Sequence, residues 1–203
     1  MTMQSGWSEE AVSRTFKKTA QRQLAFSHPG AIVVPPIRYT EALASGVLDT
    51  SEDRFVILQG DIVTTESAFF MGERISRQPL FCVLNSTCDL VPDRREYASL
   101  LPVMPIAGTP EEKTRSLQQL LSFRNRRALY LPPFSGETTP TLGYAIGFDG
   151  LAQIRLADLL LSARLASLSL VGWRIFGAFT RTIFARAGES EARLRSRMTL
   201  PAG

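Results

Sequence analysis

The feature that most constrains this chain is the rhythm of its middle. Between residues 54 and 156, short apolar runs are cut every few residues by proline, glycine or aspartate. Runs of that length, rich in β-branched and aromatic residues and bounded by turn formers, suit strands rather than helices. The segment from Arg54 to Leu58 predicts one strand, and Gly60-Asp61-Ile62-Val63 begins a second after a turn. Pro79 to Asn85 is continuously apolar until its last residue and belongs deep in the core. Ser99 to Ile106 predicts another strand, which Pro102 and Pro105 push toward an edge or a bulge because proline has no N–H to give a ladder. Ala128 to Leu131 resumes the pattern. Tyr144 to Phe148 and Leu151 to Leu156 flank Asp149-Gly150, which predicts a two-residue hairpin with positive φ. Strands that follow one another through tight turns favour a small antiparallel barrel over a parallel sheet.

Helical signals sit at the two ends and once between strands. Ser8, followed by Glu9 and Glu10 and then by Val12, Phe16, Ala20 and Leu24, predicts a capped amphipathic helix. His28-Pro29-Gly30 ends it, and Pro35-Pro36 keeps the next segment extended or irregular. Thr109-Pro110-Glu111-Glu112 places a cap, a first-turn proline and the acidic partner of a capping box, so a helix over 110–123 is expected. Leu156, Leu159, Leu160 and Ala163 suggest a helix that Ser167-Leu168-Ser169 breaks. Trp173, Phe176, Phe179, Ile183 and Phe184 form a second stripe packed against the barrel, with Gly188 as its stop. The expected architecture is α+β: an N-terminal helix over 1–30, a β-barrel core over 31–156, and a C-terminal helical hairpin and tail over 157–203.

Charge narrows the partners. Of 23 basic residues among 203 only three are lysine, and the net charge is +4. Residues 151–203 carry eight arginines against Asp158, Glu189 and Glu191, so the whole positive excess lies in the last quarter. An anionic partner, either nucleic acid or a membrane surface, suits that asymmetry. Two cysteines and one histidine exclude a disulfide scaffold and any site needing two imidazoles. No metal and no cofactor is expected, since the glycines form no phosphate-cradling pattern before a helix. The start lacks a signal-peptide pattern and no apolar run is long enough to span a bilayer, which together predict a cytoplasmic protein.

Cys82 is expected in the core and Cys88 on a polar run leaving the same strand. Asp89 beside Cys88 works against a thiolate, and Asn85, Ser86, Thr87 and Asp89 suit turn formation. Arg94-Arg95 follow that run. Arg124, Arg126 and Arg127 flank the exit of the middle helix, and Arg174, Arg181 and Arg186 recur along the last one. Guanidinium forks match phosphate oxygens bidentately.

Gly60-Asp61-Ile62-Val63, then Arg77-Gln78-Pro79 leading into Leu80–Leu84 with Asn85, then Leu100 to Ile106, resembles the barrel core of PemK/MazF-like proteins, the toxins of toxin–antitoxin pairs. The resemblance spans residues 60–106 and implies an SH3-like barrel with metal-independent RNA cleavage, for which Arg77 is the candidate catalytic residue. Gln78 separates that arginine from the proline. The hydroxyl expected after the later strand is replaced by Ile106-Ala107-Gly108, with Thr109 committed to a helix cap. A non-catalytic or degenerate nucleic-acid-binding module is therefore the first expectation, with Arg77, Asn85, Arg94, Arg95, Arg174, Arg181 and Arg186 contacting RNA or DNA. The alternatives are an active endoribonuclease, and a protein-interaction subunit that docks a protein partner through its C-terminal helices.

Overall fold

The computed structural model describes residues 31–37, 57–75, 80–91, 94–125, 127–134 and 142–184. The expected N-terminal helix and most of the strand from Arg54 lie outside them, as do Arg77, Arg126 and Arg186. The described strands are β1 (Val33–Val34), β2 (Ile62–Thr64), β3 (Phe69–Phe70), β4 (Glu73–Arg74), β5 (Leu80–Val83), β6 (Tyr97–Pro105), β7 (Ala128–Leu131), β8 (Tyr144–Gly147), β9 (Ala152–Arg155) and β10 (Ala163–Leu168). The helices are α1 (Pro110–Leu121), α2 (Leu156–Leu160) and α3 (Leu170–Phe184). The result is an α+β protein whose strands all pair antiparallel, along the path β1-β10-β2-β5-β6-β9-β3-β4, with β8 branching from β6 and β7 from β8. Hydrogen bonding among the described residues leaves β1 and β4 as the ends of that path, so it does not close the sheet into a barrel.

The prolines of β6 suggest an edge or a bulge; a bulge forms, in the chain opposite Pro102, and β6 is the hub rather than an edge strand. It pairs with β5 along one side, and with β9 and then β8 along the other. Ser99 C=O accepts from Leu84 N–H at 3.0 Å, so the odd-numbered residues of β6 bond toward β5. The ring nitrogen of Pro102 therefore faces the other side, where Phe148 to Leu151 bulge away between the two registers. A proline is tolerated there because no donor is required. The same geometry corrects the Asp149-Gly150 hairpin: β8 and β9 run in one direction along one side of β6, and Gly150 keeps a negative or extended φ. Among the described residues, a two-residue turn with both φ positive occurs instead at Met71-Gly72, between β3 and β4.

Strand alternation gives the sheet a core on each face. Cys82, Leu101 and Val103 face one cluster with Ile175, Phe176 and Phe179 of α3. Phe81, Val83, Ala98 and Leu100 face another with Leu156 and Leu159 of α2. α1 covers β7 through Leu120, which joins Ile106 and Tyr130; its capping box forms as expected.

The C-terminal helical hairpin is not what forms. Leucine spacing does start a helix, but α2 ends at Leu160, and Ala163–Leu168 pairs with β2 and β1 as β10. No β-branched residue lies in that segment, so its strand state comes from the open edges it fills, a tertiary override of propensity. Ser169 then caps α3: its Oγ accepts Gly172 N–H at 3.1 Å and donates to Ala31 C=O at 2.5 Å. A Cβ on Gly172 would stand 2.3 Å from the Ile32 carbonyl oxygen. Gly172→Ala should therefore push α3 off the β1 segment and cost about 1–3 kcal/mol. Gly177→Ala, whose nearest neighbour would be Arg181 Nη1 at 3.7 Å, should raise stability by about 0.5–1 kcal/mol. Urea denaturation of the two variants checks both signs.

One buried polar cluster ties these pieces together. Asp61 is fully buried. Its Oδ2 accepts Leu58 N–H at 2.8 Å and lies 2.8 Å from Arg164 Nε, while Oδ1 accepts the Ser167 hydroxyl at 2.6 Å. Arg164 Nη2 donates to Ile37 C=O at 2.8 Å, and Ile37 N–H donates to Ser167 Oγ at 3.0 Å. Burial raises the Asp61 carboxyl above its ordinary 3.8, outweighing the lowering by Arg164, Leu58 and Ser167. The folded state thus holds this proton more tightly than the unfolded chain. The carboxyl's contribution to stability is full below about 3.8 and falls as pH rises through its folded value. Asp61→Ala, which strands three donors, should cost about 3 kcal/mol or more. Asp61→Asn escapes the desolvation and should cost less, and wild type's advantage over it should shrink as pH rises, measured by denaturation across a pH series.

Candidate nucleic-acid interface

The polar run after β5 folds back on its own strand. Asn85 Oδ1 accepts Ser99 N–H at 2.5 Å and so extends the β5–β6 ladder by one side chain. Thr87–Leu90 forms a 3₁₀ turn anchored by buried Leu90. Thr87 Oγ1 accepts Gln59 N–H at 3.0 Å, and Gln59 Nε2 donates to Leu84 C=O at 2.8 Å. Both neighbouring arginines close onto this turn: Arg94 Nη1 donates to Cys88 C=O at 2.9 Å, and Arg95 Nη2 lies 3.1 Å from Asp89 Oδ2. The Arg95–Asp89 pair is solvent-exposed on both sides, and exposed pairs hold by only about 0–1 kcal/mol. A phosphate can compete for Arg95 at little cost.

The last helix presents a mixed outer stripe. Phe176 and Phe179 are buried as expected, but Trp173 and Phe184 are exposed, together with Leu170, Arg174 and Arg181. Trp173 does not join the core because its indole Nε1 donates to Gln59 Oε1 at 2.9 Å. Gln59 therefore bridges the first turn of α3 to the 84–90 loop. Asn85, Arg94, Arg95 and the start of α3 come to one neighbourhood, while Arg181 lies two turns further along. No carboxylate among the described residues pairs with Arg174 or Arg181.

Other expectations find structural roles. Arg127 stands 3.6 Å from Asp149, both exposed. Arg124 and Arg115 flank a shallow groove on α1 with Gln118, Gln119 and Ser122; Arg115 lies within the helix and Arg124 beyond its cap at Ser122. Among the described residues, no three His, Cys, Asp or Glu side chains come together as a metal site, and no helix is long and apolar enough to cross a membrane.

A further set of exposed side chains lies outside the expected site residues. Tyr97 stands opposite Arg155, and Ser99, Gln153, Phe69 and Arg74 are partnered in turn across β6, β9, β3 and β4. Alternation along 151–155 was the available signal, since Leu151, Gln153 and Arg155 are exposed and Ala152 and Ile154 buried. No family model, curated protein or solved structure compared with the chain matches it.

Cys82 is fully buried, and its thiol is pushed well above 9.0 by desolvation and then by Asp61. Cys88 is exposed. Maleimide should label Cys88 alone in the native protein and Cys82 only after unfolding, read as one adduct and then two by mass spectrometry.

Proposed function

We propose that this chain is a non-catalytic nucleic-acid-binding module, a degenerate PemK/MazF-like protein on an SH3-like strand framework. The observation that carries the reading is the pair Arg174 and Arg181. They are exposed, free of carboxylate partners among the described residues, and seven residues apart on one helix face. Seven residues span about 10 Å along a helix, which separates two phosphate contacts. Arg94 and Arg95 flank the loop that Gln59 joins to this helix and add positive charge nearby. The non-catalytic part is supported by Thr109. The hydroxyl nearest the end of β6 accepts Glu112 N–H in a capping box, so it serves the helix rather than a scissile phosphate.

Fluorescence anisotropy with labelled RNA and DNA across a salt series tests the reading. Affinity should fall steeply with salt, and Arg174→Ala and Arg181→Ala should each lower the slope of log affinity against log salt by about one. Binding that ignores salt, or none at low salt, sinks the proposal. RNA cleavage in chelator, abolished by Arg77→Ala, would make the protein a ribonuclease instead. A second reading, a protein-docking subunit, is favoured by Leu170, Trp173 and Phe184 standing exposed among the same arginines, a composition common in interface centres. A stable complex on size exclusion that nuclease leaves intact would support it.

A further inference from the structure

We propose that the face of β6, β9, β3 and β4 that the described residues leave open is a platform for the unpaired bases of a single-stranded nucleic acid. The proposal rests on the nucleic-acid reading above and supplies the strandedness of the ligand. Register fixes which side chains share the face. Tyr97 and Arg155 form one row, and Ser99, Gln153, Phe69 and Arg74 form the next. The residues between them, Ala98, Leu100, Ala152 and Ile154, are buried beneath. The platform is therefore backed by core and held on strands rather than loops, which fixes its side chains.

The two aromatic rings are about half exposed, Tyr97 at 47% and Phe69 at 45%. Tyr97 and Phe69 are two strands and one row apart, about 12 Å, so each ring can take a different base. Each also has an arginine directly opposite in register, Arg155 for Tyr97 and Arg74 for Phe69. That sets a phosphate-seeking cation beside each stacking surface. Gln153 stands between the arginines with an amide that both donates and accepts. Neither row contains a carboxylate. Outside the rows, Arg74 Nε donates to the Glu66 C=O at 2.6 Å and its Nη2 lies 3.9 Å from the Glu66 carboxylate. Both side chains are mostly exposed, and an exposed pair of that kind yields to a phosphate at little cost. Charge complementarity thus selects an anion, and the rings select one with accessible aromatic faces. A duplex hides its base faces within the stack, whereas an unpaired strand offers them.

The test is fluorescence anisotropy with a short labelled single-stranded RNA, the same sequence as DNA, and the matching RNA duplex. Wild type should prefer single strands. Phe69→Ala and Tyr97→Ala should each weaken single-strand binding about 5- to 100-fold, by the usual worth of one stacked base, with the salt slope unchanged. Arg155→Ala should lower the slope by about one. Phe70→Ala is the control: Phe70 is equally exposed but lies on the other face of the hairpin, so binding should stay at the wild-type level. Melting temperatures should match wild type throughout, since none of these side chains is in the core. Equal affinity for the duplex, or wild-type binding by both aromatic variants, overturns the platform while the arginine-based reading stands. Absence of binding to every oligonucleotide at low salt removes both. Self-association abolished by Phe69→Ala, without oligonucleotide binding, overturns the platform and assigns the face to a second copy of the chain.

Discussion

The carboxylate of Asp61 is where four stretches of chain that are distant in sequence become one structure. Its side chain takes the Leu58 N–H, the Ser167 hydroxyl and the Arg164 guanidinium, and its own C=O accepts Val83 N–H. Arg164 and Ser167 in turn hold Ile37. A buried charge costs several kcal/mol unless it is paired and hydrogen-bonded, so the cluster specifies an arrangement as well as contributing to its stability. If any one of these segments moved, donors and acceptors would be stranded in the interior. Gly60 beside it is fixed by the same crowding, with φ at 86° and a Cβ that would meet Leu168 Cδ1 at 2.7 Å.

A one-residue bulge makes that cluster possible. Register along β10 shifts between Arg164 and Ala166. Without the shift, side chains three residues apart would lie on opposite faces of the sheet; with it, Arg164 and Ser167 both aim at Asp61. A second interruption, across from Pro102 in β6, splits one long partner into β8 and β9 and lets the strand serve two registers. Both irregularities sit at places where a regular ladder could not satisfy the residues present. They also decide which surface stays open: the first half of β6, beyond the reach of α3, leaves Tyr97 exposed and Ser99 only partly covered.

The candidate sites differ in how much of them the sequence carries. Arg174 and Arg181 are legible as a helical stripe, because a spacing of seven returns to one face of an α-helix whatever the helix packs on. Arg94 and Arg95 are legible as charge but not as partners, since pairing with Asp89 and Cys88 depends on a 3₁₀ turn that local propensity does not announce. Trp173 leaves the expected buried stripe for a related reason. Its spacing matches Phe176 and Phe179, yet an indole N–H seeks an acceptor, and Gln59, 114 residues away, supplies one at the surface. The row from Ser99 to Arg74 needs four strands in register before it exists at all.

By itself the sequence determined the short strands, the capped α1, the buried Cys82, and the concentration of arginine in the last quarter. Each follows from local rules: apolar alternation, a capping box, burial of a small thiol, and a count of charges. Only the tertiary structure decided that Ala163–Leu168 is a strand rather than part of a helical hairpin, that Asp149-Gly150 is a bulge rather than a turn, and that Tyr97 and Phe69 share an open face. Those outcomes depend on which ladder edges are left unsatisfied once the rest of the chain has folded. A backbone N–H or C=O at such an edge gains more from a partner than a residue loses by leaving its preferred conformation.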